Sequence, residues 1–531
     1  MKVLVSDSLS SEGLDLLRKH AEVDYKPDIT AEELVAEIGA YDALVVRSRS
    51  KVTEAVIEAG NNLKVIGRAG VGVDNIDVNK ATEKGVVVVN APHGNTISAA
   101  EHAIALLTSL ARNIAGADSS VKRGEWKRSD YVGVELNQKT LGVIGVGRIG
   151  SEVARRARAM GMKIIGYDPY VSEDQAEKIS IEMASFEDLL KEADFITLHL
   201  PLASATRHLI GAKELAMLKP GVRIINCARG GLIDEEALYT ALQDGRVAGA
   251  ALDVFEKEPP GQGGLLELKN VIATPHLGAS TLEAQTNVAL QVSEQVIKAL
   301  QGEPIVSAVN VPALMPEARA ALEPFLPLMQ VMGSFYLQMF GGSVDEIELT
   351  YSGEVATMPL APLTISCLIG FLRHVVGDGV NWVNAPYIAK ARGISVRETS
   401  TTETKNYSNL ITMTAKAGGE EHHISGTLLN SEMRIVRVDD YRIEITPARY
   451  MLVTTHGDRP GAIGKIGTLL GCENVNIASM QLGRITAGGE AMVVIQADAV
   501  ISDSVVEKVR AIDVIETARV VTFDNSIFKG Q

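Results

Sequence analysis

Three side chains in this sequence have types and settings suited to oxidising a hydroxyl group. They are Arg229 in Asn226-Cys-Ala-Arg229-Gly-Gly, Glu258 in Asp253-Val-Phe-Glu-Lys-Glu258-Pro-Pro, and His276 in Thr274-Pro-His276-Leu-Gly-Ala. An imidazole of near-neutral pKa can take a hydroxyl proton. A neighbouring carboxylate fixes the orientation of that ring. A guanidinium fork holds a carboxylate with two hydrogen bonds, which suits a 2-hydroxy acid. Singly, each residue has an ordinary reading as a solvated arginine, a loop acid and a satisfied structural histidine. No metal-ligand set accompanies them, and hydride transfer to a nicotinamide needs none.

A nicotinamide site is signalled upstream. Thr140-Leu-Gly-Val-Ile-Gly145-Val-Gly147-Arg-Ile-Gly150 is an apolar strand running through a GxGxxG turn into a helix. Gly145 permits the tight turn, Gly147 lets the backbone approach a pyrophosphate, and Gly150 allows close helix–strand packing. The helix N-terminus offers free N–H groups to the phosphates. The next strand, Lys163–Asp168, ends in an acid that can accept from ribose hydroxyls and repel a 2′-phosphate, so NAD is expected rather than NADP.

These residues must be positioned by a larger frame. A chain of 531 residues exceeds one hydrophobic core and suggests about three or four domains. Apolar residues at 46% and charged residues at 22% exclude wholesale disorder. A net charge of −15 argues against a nucleic-acid partner held by phosphate contacts. Three cysteines, Cys227, Cys367 and Cys472, are too few and scattered for a disulfide framework. The sequence starts on a strand-like Val3-Leu4-Val5, and its most membrane-like stretch, Leu360–Leu372, is interrupted by Pro362. A cytoplasmic protein without membrane association is therefore expected.

Up to about residue 305 short apolar strands alternate with helical spacing. Strands are expected at Ala43–Val46, Lys64–Gly67, Val86–Val89, Thr140–Gly145, Lys163–Asp168, Asp194–Leu198, Arg223–Cys227, Gly249–Val254 and Val271–Thr274. Helices are expected at Thr53–Ala59, Ile97–Val121, Ile149–Met160, Glu235–Asp244 and Ser280–Leu300. Val- and Ile-rich strands alternating with helices predict α/β architecture with two doubly wound, Rossmann-like lobes. Prolines crowd Pro304–Pro327, which reads as a linker. An α+β domain follows, and the last residues read as a compact ββαβ-type unit.

At this point the sequence resembles the D-isomer-specific 2-hydroxyacid dehydrogenases. The likeness rests on Gly145–Gly150, Asn226–Gly231, Asp253–Pro259 and Pro275–Thr281. The loops Gly67–Asn75 and Ala91–Thr96 resemble substrate-domain loops of the family's long forms, which add an intervening and an ACT domain. The resemblance implies a substrate-binding lobe at 1–94 plus 285–307, an NAD-binding domain at 95–284, an intervening domain at 308–449 and an ACT domain at 450–531. It implies His276 as acid/base, Glu258 as its partner and Arg229 as carboxylate anchor. The NAD site would comprise Gly145, Gly147, Arg148, Ile149, Gly150, Asp168, Leu200, Pro201, Cys227, Ala228, Arg229, Asp253, His276 and Gly278. Leu200-Pro201 stands where many relatives have Thr-Pro, and Val71 where some have Thr.

The resemblance also turns the basic run Arg47-Ser48-Arg49-Ser-Lys51 from an ordinary solvated loop into a phosphate-binding segment. Arg68 is a weaker addition, while Gly70, Val71 and Asn95 would hold the rest of the substrate, 3-phosphoglycerate. His456, Asp458 and Asn476 match the ligand loop of ACT domains, for which the family implies L-serine as effector between paired domains. A homotetramer is implied, with Ile97–Val121 at a dimer interface. Reduction of glyoxylate or another 2-oxo acid, and an NAD-sensing scaffold, are the alternatives.

Overall fold

The computed structural model describes residues 1–312, 316–377, 379–404 and 406–528. The first lobe is a five-stranded parallel sheet of β1 (Lys2–Val5), β2 (Glu22–Tyr25), β3 (Ala43–Val46), β4 (Val65–Arg68) and β5 (Val87–Asn90), in the order β2-β1-β3-β4-β5. The second is a seven-stranded parallel sheet. Its strands are β6 (Thr140–Ile144), β7 (Lys163–Tyr167), β8 (Glu182–Met183), β9 (Phe195–Leu198), β10 (Val222–Asn226), β11 (Val247–Leu252) and β12 (Val271–Ala273), ordered β12-β11-β10-β9-β6-β7-β8. Strands such as Ala43-Leu-Val-Val are buried on both faces, as helices covering both sides of a parallel sheet require. Strand order reverses at β1/β3 and at β6/β9, and such switch points are where open α/β sheets place ligands.

The expected helix Ile97–Val121 is broken into Thr96–Ala111 and Ile114–Lys122. Asn113 takes a left-handed conformation (φ 52°) between them, which asparagine tolerates better than most residues. After the second sheet, helix Leu282–Gln301 returns to the first lobe. A Cβ on Gly67 would lie 2.6 Å from Val296, so only glycine lets this helix lie on β4. The chain past that helix stays on the same lobe, with Asn310 Oδ1 accepting from Val88 N–H and its Nδ2 donating to Val86 O.

The segment expected as a linker is therefore only partly one. Its start is tied to β5, helix Pro316–Leu322 lies inside it, and helix Phe325–Phe340 begins before it ends. Residues 313–315 lie outside the described ones. The third sheet comprises β13 (Glu346–Gly353), β14 (Ser395–Thr401), β15 (Asn409–Ala417), β16 (Glu420–Leu429), β17 (Glu432–Val438) and β18 (Tyr441–Ile445). Only the β13–β14 pair is parallel.

The last unit has β19 (Tyr450–Gly457), helix Ala462–Cys472, β20 (Ile477–Arg484), β21 (Glu490–Ala497), helix Asp503–Arg510 and β22 (Ile515–Thr522). It is antiparallel, ordered β20-β21-β19-β22. Strands β20 and β22 extend the expected pattern to βαββαβ. Their half-exposed residues carry little apolar signal. Alternate residues of its sheet face opposite ways. Leu452, Val493 and Ile495 pack on the unit's own helices, whereas Met451, Val453, Met492, Val494 and Val521 join the core of Tyr336 and Tyr351 in the preceding domain. The two central strands, β19 and β21, are thus buried on both faces. Among the described residues, no helix is long and apolar enough to cross a membrane.

Candidate active site

The C-terminal ends of the two parallel sheets face one cleft of about 590 Å³. From the first lobe it receives Arg47, Ser48, Gly70, Val71 and Asn95. From the second come Arg148, Ile149, Leu200, Pro201, Cys227, Ala228, Arg229, Glu258, His276 and Gly278. Residues more than 200 positions apart thus meet because each follows a strand in one of two facing sheets.

His276 follows β12. Its Nδ1 lies 2.8 Å from Glu258 Oε2, while Glu258 Oε1 accepts from Phe255 N–H at 3.2 Å. The backbone of His276 is left-handed (φ 56°), with its N–H donating to Asp253 O at 3.0 Å. With Nδ1 donating to the carboxylate, Nε2 retains the lone pair that can accept a proton.

Asp253 stands behind this loop and does not line the cleft. Its fully buried carboxylate accepts from Thr274 Oγ1 (2.6 Å), Leu277 N–H (2.7 Å) and Gly278 N–H (2.9 Å), with His102 Nε2 at 3.1 Å. Burial alone would raise its pKa, but the bonds from His102, Thr274 and Leu277 outweigh burial and hold it below the usual carboxylate range. A depressed folded pKa gives stability that is present above about pH 4 and lost as pH falls through the folded value. Asp253→Asn is accordingly expected to flatten the acid limb of a plot of melting temperature against pH.

Arg229 Nη1 donates to Ala228 O at 2.7 Å, and its Nε lies 3.3 Å from exposed Asp74. Arg68 stands closer to this group than the sequence suggested. It lines the cleft, its Nε is buried without a hydrogen-bond partner, and a Cβ on Gly70 would fall 1.5 Å from its Nη1. Burial first, then Arg229, pushes Arg68 down to about 10, which still leaves it charged near neutral pH. Arg47 Nη1 donates to Ser8 at 3.3 Å.

Arg49 is not brought to the cleft. It donates to Ser6 O (2.6 Å) and Ile29 O (3.2 Å), and its Nε lies 3.3 Å from buried Asp7. Past the end of β3 the chain bends at residues 48–50 instead of continuing as a strand, and Asp7 claims Arg49. Ser8–Ser10, after β1, also line the cleft. The position of β1 at the strand-order reversal is the signal that would have found them.

The glycine turn has the geometry its spacing implied. Gly145 has φ 90°, a Cβ on Gly150 would strike Gly145 O at 2.0 Å, and a Cβ on Gly147 would meet nothing. Asp168 accepts from Val146 N–H and Tyr170 N–H, each at 3.0 Å, leaving one lone pair on each oxygen for ribose hydroxyls. The strained turn, the open approach at Gly147 and this acid fit a dinucleotide. Arg148 at the helix start reaches His93 of the first lobe at 3.2 Å. On the cleft floor His199 Nε2 lies 2.9 Å from Thr197 Oγ1, and burial alone pushes this imidazole down to about 4. Burial, with Asp253 adding to it, pushes the Cys227 thiol up.

The three tail residues do not meet within one chain. His456 and Asp458 lie where β19 pairs with the Glu490 end of β21, while Asn476 precedes β20 at the Ala497 end. An eight-residue strand places them roughly 20 Å apart. His456 is buried, with its Nδ1 unpartnered and its pKa lowered by burial. Asp458 accepts from Gly488 N–H (3.0 Å) and Arg484 (3.1 Å), and Asn476 donates to Asp498.

Known proteins share this arrangement. Residues 104–278 match the NAD binding domain of D-isomer specific 2-hydroxyacid dehydrogenases, 321–439 the intervening domain of D-3-phosphoglycerate dehydrogenase, and 450–514 the ACT domain. A Synechocystis protein named D-3-phosphoglycerate dehydrogenase is 48% identical over 96% of this chain and 92% of its own length. One of the same name from Methanocaldococcus jannaschii is 47% identical over 98% and 99%. Among solved structures, a glyoxylate reductase from Paecilomyes thermophila covers 58% of this chain and 98% of its own, at 35% identity and a TM-score of 0.55. An Aquifex aeolicus D-lactate dehydrogenase complexed with NAD and lactic acid covers 57% and 96%, at 30% identity and a TM-score of 0.51. Three family matches in chain order, with 48% and 47% identity over nearly the whole length, place this chain, an NAD-dependent dehydrogenase, in the D-3-phosphoglycerate dehydrogenase family of the D-isomer specific 2-hydroxyacid dehydrogenases.

Proposed function

We propose that this chain oxidises D-3-phosphoglycerate to 3-phosphohydroxypyruvate, the entry to phosphorylated serine synthesis, and that L-serine restrains it through the terminal domain. The observation that carries the reading is the gathering of Arg47, Arg68 and Arg229 in the cleft that also holds the His276–Glu258 pair. An unphosphorylated 2-hydroxy acid needs one of those cations, whereas a phosphorylated one adds a dianion.

In this reading Arg229 takes the substrate carboxylate with the N–H groups of Gly70 and Val71, while Arg47 and Arg68 take the phosphate beside Ser48. Asn95, whose buried Oδ1 has no protein partner, orients the substrate. His276 Nε2 accepts the hydroxyl proton, and Glu258 compensates the imidazolium that forms. Bound NAD would supply the acceptor for the hydride that leaves the hydroxyl-bearing carbon. Gly145–Gly150 and Asp168 hold its pyrophosphate and ribose, with Leu200, Pro201, Cys227, Ala228 and Gly278 enclosing the rest. Asp253 acts through the loop it anchors.

NADH oxidation with 3-phosphohydroxypyruvate, glyoxylate, pyruvate and 2-oxoglutarate, each with and without L-serine, tests the reading. Preference for the phosphorylated acid is expected; preference for glyoxylate would overturn it. Arg68→Gln is expected to raise KM for the phosphorylated acid by about tenfold, from loss of a charge-assisted contact, while changing glyoxylate turnover little. Asp168→Ala is expected to weaken NAD and narrow its preference over NADP by about tenfold or more, read from the ratio of kcat/KM values.

Because Asp458 and Asn476 stand at opposite ends of the sheet, serine binds where two copies pair terminal domains, in a cytoplasmic homotetramer. The other pairing face is the broken helix, where Ile97, Ile114, Val121 and Trp126 are exposed. Asp458→Ala and Asn476→Ala are each expected to abolish serine inhibition without loss of turnover. Co-refolded mixtures should regain part of it, since one pairing then restores an intact site.

A further inference from the structure

A second cavity, of about 450 Å³, lies between the intervening helices and the terminal sheet, away from the dehydrogenase cleft. Its size falls within the roughly 300–1,000 Å³ typical of small-molecule sites. Helices Phe325–Phe340 and Ala361–Val376 supply one wall, and Thr522, Phe523, Asp524 and Ile527, at and beyond the end of β22, supply the other. Gln338 ties the walls together beside it, donating to Thr522 O at 2.9 Å and accepting from Thr522 N–H at 2.8 Å.

The lining divides by chemistry. Ile369, Phe523 and Ile527 offer apolar surface, while Arg373 and Arg449 offer two guanidinium groups. Among the described residues that line the cavity one carboxylate opposes them: Asp524, 3.8 Å from Arg373 Nη1. Exposed Arg449 forms no ion pair among the described residues, and its guanidinium lies 5.0 Å from the centre of the Tyr450 ring. His374 adds no third charge near neutral pH. Its Nε2 lies 2.8 Å from Ser334 Oγ, and burial first, then Arg373, pushes its pKa down. A surplus of positive charge over an apolar floor, in a chain of net charge −15, selects an anion that carries hydrocarbon.

We infer that this cavity binds a small carboxylic acid with an apolar body, its carboxylate on Arg449 and Arg373 and its body against Ile369, Phe523 and Ile527. A bare phosphate dianion suits it less. It has nothing to place on the apolar wall, and Asp524 opposes its second charge.

Phenylacetate and inorganic phosphate are the probes, titrated into the full-length protein with binding read by ligand-observed saturation-transfer NMR and, for phosphate, by competition. Phenylacetate is expected to bind the parent chain, and Arg449→Gln to weaken it about tenfold, the loss of one charge-assisted hydrogen bond. Val500→Trp, an exposed rim position, should block the cavity with every cation kept. Arg229→Gln should leave phenylacetate binding unchanged, because that arginine serves the other cleft. No binding, binding indifferent to both Arg449→Gln and Val500→Trp, binding abolished by Arg229→Gln, or phosphate displacing phenylacetate at lower concentration would each overturn the site.

Discussion

His276→Ala is expected to lower kcat by roughly 10²- to 10⁴-fold, the range a positioned general base contributes, while leaving NAD affinity unchanged within error. The separation follows from geometry. His276 lies on the loop after β12, whereas the dinucleotide turn follows β6, with three strands between them in the sheet order. Glu258→Gln is expected to cost less, because an amide oxygen can still accept from Nδ1 but cannot balance the charge of the imidazolium. Stopped-flow turnover beside fluorescence titration of NADH checks both. Unimpaired turnover in His276→Ala would assign the proton transfer to another residue. Loss of NADH binding would show that the substitution had disturbed the loop rather than the proton transfer.

Arg229→Gln is expected to reduce kcat/KM by roughly 30- to 5,000-fold, corresponding to about 2–5 kcal/mol for removing one partner of a desolvated charge contact. Arg229→Lys should recover only part of it, since an ammonium supplies charge without the planar fork. Two neighbours sharpen the expectation. Asp74, 3.3 Å from Arg229 Nε, loses its partner in Arg229→Gln, and Arg68 loses the cation that helped lower its pKa. Arg68, charged near neutral pH with or without Arg229, should partly replace the missing anchor because it lines the same cleft. The double variant Arg68→Gln/Arg229→Gln is then expected to fall below the product of the single effects. Steady-state kinetics of the four enzymes gives the coupling directly.

Much of the catalytic half was legible because its signals are local. The turn at Gly145–Gly150 states its own backbone geometry, and the acid of Asp168 follows at the end of the very next strand. Likewise, Arg229 and His276 each sit just after an apolar run, and Glu258 lies in the loop that follows another. What the sequence could not convey was direction. Arg47 and Arg49 share one basic run, yet Asp7, 42 positions before Arg49 and buried under β3, decides that only one reaches the cleft. Arg68 looked minor because its importance comes from burial beside Arg229, a contact between two lobes. Asp253 looked like a cleft residue, but its carboxylate is taken up by Thr274, Leu277 and Gly278. In the tail, β20 and β22 escaped notice because neither alternates clearly between apolar and polar residues. The opposite placement of Asp458 and Asn476 depends on strand order, which no local pattern encodes.

The continuous core joining the terminal sheet to the domain before it bears on how such a protein can be dismantled or recombined. Met451, Val453, Met492, Val494 and Val521 are covered by residues outside the terminal unit. Cutting the chain between β18 and β19 would therefore leave both fragments with raw apolar surface, prone to clump rather than to fold as separate modules. A terminal unit transplanted from a relative should travel with its intervening partner, the two acting as one cassette whose boundary lies upstream, near Asn310.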